Sequence, residues 1–221
     1  MGAVGLLFVG AVLFINGAML LGWVEPRSAA PMNFFVGALQ IITPTYLIFT
    51  ANGNADTILM AAGLYLFAFT YLYVGLNLSF NLDGTGLGYF CFFVVLSALV
   101  YSYLNFTRFG DPAFGVIWLY WAFLWALFFL VLGLKRERLT RYTGAVCAIQ
   151  GWVTGWAPAF LLLTGLYNGY KNQLALALAA FGILVFGVLY VRERPGKVPA
   201  APGPSGERVS AGSSGLEPEE R

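Results

Sequence analysis

The sequence predicts an all-α fold, a polytopic membrane helix bundle of six core transmembrane helices with a seventh at the C-terminal end. Three observations lead there. Hydrophobic residues fill 59% of the 221 positions and charged residues only 10%, against about 25% charged in soluble domains. The apolar residues gather into seven runs of about 18–24 residues, the length that crosses a ~30 Å hydrocarbon core. The charged residues all fall between or beyond those runs. Backbone groups in lipid must be satisfied within their own segment, which selects helices over open strands.

The runs lie at 3–23, 32–51, 57–78, 86–106, 113–134, 144–167 and 174–191. The first lacks a basic leading segment and is long enough to span, so it reads as a retained helix rather than a signal peptide. Glu25-Pro26-Arg27-Ser28 closes it, and Asn52 to Asp56 closes the second. Asn81 to Gly86 is rich in Gly and Asx residues, a turn signal, and Gly110-Asp111-Pro112 opens the fifth helix. Lys135 to Arg141 is a compact basic loop, and Asn168 to Gln173 reads as the last connection.

Residues 1–167 are expected to form the six-helix core and 168–191 an additional transmembrane helix. From Arg192 the composition turns to Pro, Gly, Ser, Glu and Arg, which cannot bury enough apolar surface to order itself. Residues 192–221 are therefore expected to be a flexible cytoplasmic tail. With seven spans, one side carries Arg27, Lys135, Arg136, Arg138, Arg141, Arg192, Arg194 and Lys197, and the other only Arg108 and Lys171. The basic side is cytoplasmic by the positive-inside rule, which sets the N-terminus outside.

The net charge of +2 gives no basic surface for nucleic acid. Histidine is absent, which removes the commonest metal ligand and the usual general base. Cys91 and Cys147 sit inside apolar runs and read as small packed residues. No metal, cofactor or catalytic residue is expected. Proton-coupled carriers and ion channels place carboxylates, His or Arg within the bilayer, and these spans hold none. The seventh run holds no lysine, which disfavours a retinal pigment.

The polar groups left in the spans are neutral, among them Asn16, Asn33, Gln40, Thr70, Tyr71, Asn77, Tyr101, Gln150 and Thr154. Singly, each serves as glue between helices. Together, amid aromatics, they suit a path for a neutral polar solute, where pore diameter and hydrogen-bonding groups set selectivity. Trp118, Trp121 and Trp125 are spaced three then four apart and share one helix face, as do Leu6, Val9 and Leu13 in the first run. Phe69 and Tyr73 pair in the same way in the third. Trp121 and Trp125 fall too deep for a headgroup anchor. A slot between flat rings and aliphatics passes planar neutral molecules and holds back hydrated ions. A secondary carrier for neutral amides and a non-transporting scaffold or sensor are the alternative readings.

Several blocks in order resemble the AmiS/UreI family of urea and amide channels over about residues 1–165. They are Val9-Gly10 through Asn16-Gly17, Met32 to Gly37, Leu66 to Tyr73, Ile117-Trp118-Leu119 with Trp121 and Leu124-Trp125, and Gly151-Trp152 through Trp156-Ala157-Pro158-Ala159. The resemblance implies a multi-pass protein of the bacterial inner membrane, with three helical hairpins around a pore and a homo-hexameric ring. It implies constrictions from Leu6, Val9, Leu13, Phe69, Tyr73, Trp118, Trp121, Leu124 and Trp125. Gln150 stands where gated urea channels carry a glutamate. Acid-gated members carry histidines that this chain lacks. The resemblance therefore implies an ungated facilitator for urea or short aliphatic amides, linked in function to a cytoplasmic amidase or urease.

Overall fold

The computed structural model describes residues 2–192, all in helices and short connections, with no strand among them. Apart from Arg192, the tail expected over 192–221 lies outside the described residues, as do Arg194 and Lys197. The helices are α1 (Gly2–Leu20), α2 (Pro26–Phe49), α3 (Ala55–Phe80), α4 (Thr85–Thr107) and α5 (Pro112–Phe128). A π-helical turn, Phe129–Gly133, extends α5. A 3-10 turn, Glu137–Leu139, leads into α6 (Thr140–Gln150), π-helical Gly151–Trp156 and α7 (Ala157–Leu163), which together make the sixth span. The chain ends in α8 (Tyr167–Arg192). These make seven stretches long and apolar enough to cross a membrane.

Helix starts follow local capping chemistry. The Glu25 carboxylate accepts from Ser28 N at 3.2 Å and Pro26 occupies the first turn, so α2 begins six residues before its apolar run. A proline there loses no intrahelical bond, because the first N–H groups are unpaired in any helix. Asn54 and Asp111 cap α3 and α5 by accepting from Thr57 N and Phe114 N. The stretch Asn168 to Gln173, expected as a connection, is instead the opening of α8. Its polar side chains sit on a helical first turn and a half, where Lys171 Nζ donates to the Gly110 carbonyl at 2.9 Å. Likewise Arg27, Asp56, Arg141 and Lys171 lie in terminal turns of helices rather than in loops.

Consecutive helices pair as the hairpins α2–α3 and α4–α5, and α1 closes the bundle against the sixth span. That closure is made by small residues. A Cβ on Gly10 would sit 2.6 Å from the Gly151 carbonyl oxygen, and one on Gly17 would sit 2.3 Å from the Ala148 nitrogen. Backbones approach this closely only where side chains are absent, the small-residue contact common between membrane helices. Cys147 Sγ donates to the Leu13 carbonyl at 3.2 Å across the same seam. Between α1 and α2, the buried Asn16 and Asn33 amides exchange reciprocal hydrogen bonds of 2.9 and 2.7 Å.

Ion pairs tie the connections at the two ends. Arg108 meets Asp56 at one end, and Lys135 meets Asp83 at 2.7 Å at the other. Hydrogen bonds from Lys135 and Thr85 hold the Asp83 carboxyl well below the usual carboxylate range. This stabilisation is present above about pH 4, the unfolded-chain value, and is lost as pH falls towards the depressed folded value. Full exposure keeps it small.

Substituting Gly10→Leu is expected to prise α1 from the sixth span. Overpacking of this kind costs about 1–3 kcal/mol or more, read as a lowered thermal unfolding midpoint of the detergent-purified protein. Gly2→Leu, where an added Cβ meets nothing within 4 Å, is the matched control and should leave the midpoint in place.

Candidate functional site: an aromatic wall inside the bundle

The α1 seam presents Leu6, Val9 and Leu13 to the centre of the bundle, all buried. Opposite stand Trp118, Trp121, Leu124 and Trp125 of α5, also buried, in one continuous apolar cluster with the α1 residues. Phe67 of α3, 1% exposed, is the hub. Its ring lies 4.7 Å from Trp121 and 5.1 Å from Trp125, both edge-on, and 5.6 Å from Trp118. Trp118 in turn stacks on Tyr101 at 4.6 Å and 16°.

The third-span pair expected here divides between two environments. Phe69 is 51% exposed and stacks on Tyr65 at the outer surface of α3. Tyr73 is half-buried and packs against the central cluster, with its hydroxyl against Gly86 at the start of α4. Phe67 and Tyr71 take the fully buried positions. The two pairs share the same four-residue spacing, and a shift of two residues turns a helix by roughly 200°. Spacing marks a shared face, whereas contacts with neighbouring helices decide which face points in. Trp152 and Trp156 also point outward, 47% and 46% exposed, in a surface row with Phe14 and Phe160.

Hydrogen bonds fix the orientation of the wall. Trp121 Nε1 donates to Thr154 Oγ1 at 3.1 Å, and Thr154 donates onward to the Gln150 carbonyl at 2.7 Å. Trp125 Nε1 donates to Thr70 Oγ1 at 3.1 Å, and Thr70 donates to the Leu66 carbonyl at 2.7 Å. Each indole proton is therefore spent on a hydroxyl whose own proton is spent on backbone. What remains towards the centre is ring face and edge. Thr154 lies in the π-helical turn, where the irregular backbone also brings Gly151 and Gly155 onto α1. Such turns recur at functional sites.

Gln150 is fully buried, and its Nε2 donates to the Tyr120 carbonyl at 3.0 Å. Its Oε1 has no partner, and the same holds for the buried Tyr71 hydroxyl and for Gln40 Oε1. Buried acceptors without partners are uncommon and call for a reason. Tyr71 and Asn16 border a small cavity of about 20 Å3, otherwise walled by Leu13, Thr70, Trp125 and neighbouring apolar side chains. This space holds about one water, since ~10–15 Å3 is the minimum for a water molecule. Every polar group bordering it is neutral in ordinary conditions.

The family described as AmiS/UreI family transporter matches residues 1–166 of this chain. The chain is 56% identical over 168 residues to the candidate transporter AmiS2 of Rhodococcus erythropolis, covering 76% of this chain and 82% of that one. It is 54% identical over 165 residues to a candidate transporter of amidate substrates from Mycolicibacterium smegmatis, covering 75% and 78%. Its fold is similar to the cryo-EM structure of the Helicobacter pylori urea channel in a closed state. The TM-score there is 0.68 at 32% identity, covering 74% of this chain and 98% of that one. The protein belongs to the AmiS/UreI family.

If Phe67 is the hub of the wall, Phe67→Ala should raise or reorder solute permeation in reconstituted vesicles, while Phe69→Ala should leave it unchanged. An equal effect of both would move the path off this face of α3.

Proposed function

We propose that this AmiS/UreI-family protein is a passive channel for small neutral solutes, urea and short aliphatic amides, which slip past the Phe67–tryptophan wall. One observation carries this reading: the bundle centre is walled by aromatic and aliphatic side chains and bordered by neutral polar groups, the unpartnered Tyr71 hydroxyl among them, with no carboxylate, ammonium or guanidinium. An ion entering there forfeits its water shell and finds no ligands to replace it. A planar amide loses less, because its apolar faces lie against rings while its edge reaches Tyr71 Oη or Gln150 Oε1. Relatives that carry transporter and channel descriptions support the same class of activity over an enzymatic one.

Leu6, Val9, Leu13, Trp118, Trp121, Leu124, Trp125 and Gln150, together with Phe67 and Tyr71, are the side chains we assign to the path. The six-span core, 1–167, contains it, and the helix from 168 lies on its flank. The protein would sit as a homo-hexamer in the bacterial inner membrane, with its arginine-rich end in the cytoplasm by the positive-inside rule. A cytoplasmic amidase or urease consuming the solute would make downhill entry productive.

Stopped-flow swelling of proteoliposomes under urea, acetamide and glycerol gradients tests the proposal. Urea or acetamide rates well above those of protein-free vesicles are expected, and equal rates would refute it. Tyr71→Phe should slow the favoured solute by about two- to tenfold, the equivalent of one hydrogen bond of ~0.5–1.5 kcal/mol. With no histidine in the chain, flux should stay flat between about pH 5 and pH 8. A step in that interval would mean that a titratable gate operates.

A further inference from the structure

Beyond the channel itself, α8 builds a feature that the six-span core cannot form alone. It lies past the family-matched residues 1–166 and is held to the bundle by tyrosine hydroxyls. Tyr120 Oη donates to the Leu178 carbonyl at 2.5 Å and Tyr142 Oη to the Phe186 carbonyl at 3.0 Å. At the other end of α8, Tyr167 Oη donates to Asp111 at 2.6 Å. These bonds seat α8 beside α5 and α6 without filling the space between them. A groove of about 720 Å3 remains, running from Val116 on α5 to Leu130 in the π-helical turn that extends it, and from Ala179 to Tyr190 on α8.

The groove has three properties that bear on its occupant. Its walls are apolar, and the hydroxyls of Tyr120 and Tyr142 are already committed to α8 carbonyls. Its length along α5 is about 21 Å at 1.5 Å per residue, more than half of the ~30 Å hydrocarbon core. It also has width that the protein itself does not use, because a Cβ on Gly187 meets nothing within 4 Å. By contrast, Gly182 further up α8 is pressed against Tyr120 Oη.

One end of the groove is basic. Its last lining residues are Leu139, Tyr142 and Tyr190, and each has an arginine one or two positions away in sequence: Arg138, Arg141 and Arg192, all exposed. The carboxylates nearest in sequence are Glu137, exposed in the same turn, and Glu193, which the sequence places between Arg192 and Arg194. Cationic charge therefore prevails where the groove meets the headgroup layer. Each Lys or Arg near an anionic surface contributes about 1 kcal/mol of attraction. A lipid phosphate neutralises this cluster, whereas an apolar face of a second copy laid in the groove would leave it uncompensated.

We propose that the groove between α5, α6 and α8 is a binding site for one anionic phospholipid. An acyl chain lies along Phe123 and Gly187, and the headgroup phosphate rests on Arg138, Arg141 and Arg192. The chain supplies the apolar surface that α8 lacks on that side, and the phosphate sets the leaflet. The site stands whether or not the transport reading holds, since its test reads no flux.

Native mass spectrometry of the detergent-purified protein, mixed with dioleoyl phosphatidylglycerol or dioleoyl phosphatidylcholine, decides the matter. The expected result is one retained phosphatidylglycerol per protomer, with phosphatidylcholine retained at least about tenfold less. Gly187→Phe fills the groove and should abolish retention without lowering the thermal unfolding midpoint. Arg138→Gln with Arg192→Gln leaves the groove open and should reduce the preference for phosphatidylglycerol by about tenfold. Equal retention of the two lipids by the unaltered protein overturns the proposal. So does undiminished retention in Gly187→Phe, and so does disulfide capture of a second copy through Gly187→Cys.

Discussion

Backbone-to-backbone contact between α1 and the sixth span is the constraint on which the centre of this molecule depends. Gly10 lies against Gly151 and Gly155, and Gly17 against Ala148. Any side chain at those positions would hold α1 off by a methyl group or more. Leu6, Val9 and Leu13 would then no longer reach the tryptophans of α5. Lipid tails are as apolar as leucine, so burial alone does not drive helices together in a membrane. Close packing and hydrogen bonds must do it. The seam uses both, with glycines for approach and Cys147 and the Asn16–Asn33 pair for polar contacts.

From that closure follows the chemistry of the interior. Indole and threonine form two relays that end on carbonyls of α3 and α6, so the large rings are held by their N–H edges and present their faces inward. Hydrogen bonding as well as packing therefore sets the orientation of the wall. The unpartnered oxygens of Tyr71 and Gln150 contrast with those satisfied relays. Each is a neutral polar group left without the partner that burial ordinarily demands.

The seventh helix obeys different rules. Its outward face is broadly exposed, with Leu176 and Leu184 largely uncovered. Its contacts with the core combine tyrosine hydroxyls reaching helix carbonyls with Leu178 and Phe186 packed against α5. Such contacts fix position while leaving volume unfilled. An added helix of this kind alters what surrounds the protein on that flank without entering the arrangement of Phe67 and the tryptophans.

Length and composition by themselves determined that seven helices are long and apolar enough to cross a membrane, that charge is confined to their ends, and that the tryptophans of α5 share a face. These properties follow from the thickness of the hydrocarbon core and from the cost of placing charge within it, which act on each segment separately. The tertiary structure alone decided that Phe67 and Tyr71 are fully buried while Phe69 turns out, and that Trp152 and Trp156 turn out as well. It also decided that the polar stretch before the last apolar run is the first part of α8, where Lys171 and Tyr167 find partners in the turn before α5. A helix that is apolar on every side carries no mark of which side is the interior. In lipid that choice belongs to the neighbouring helices, through shape and hydrogen bonding, and it exists only once they are assembled.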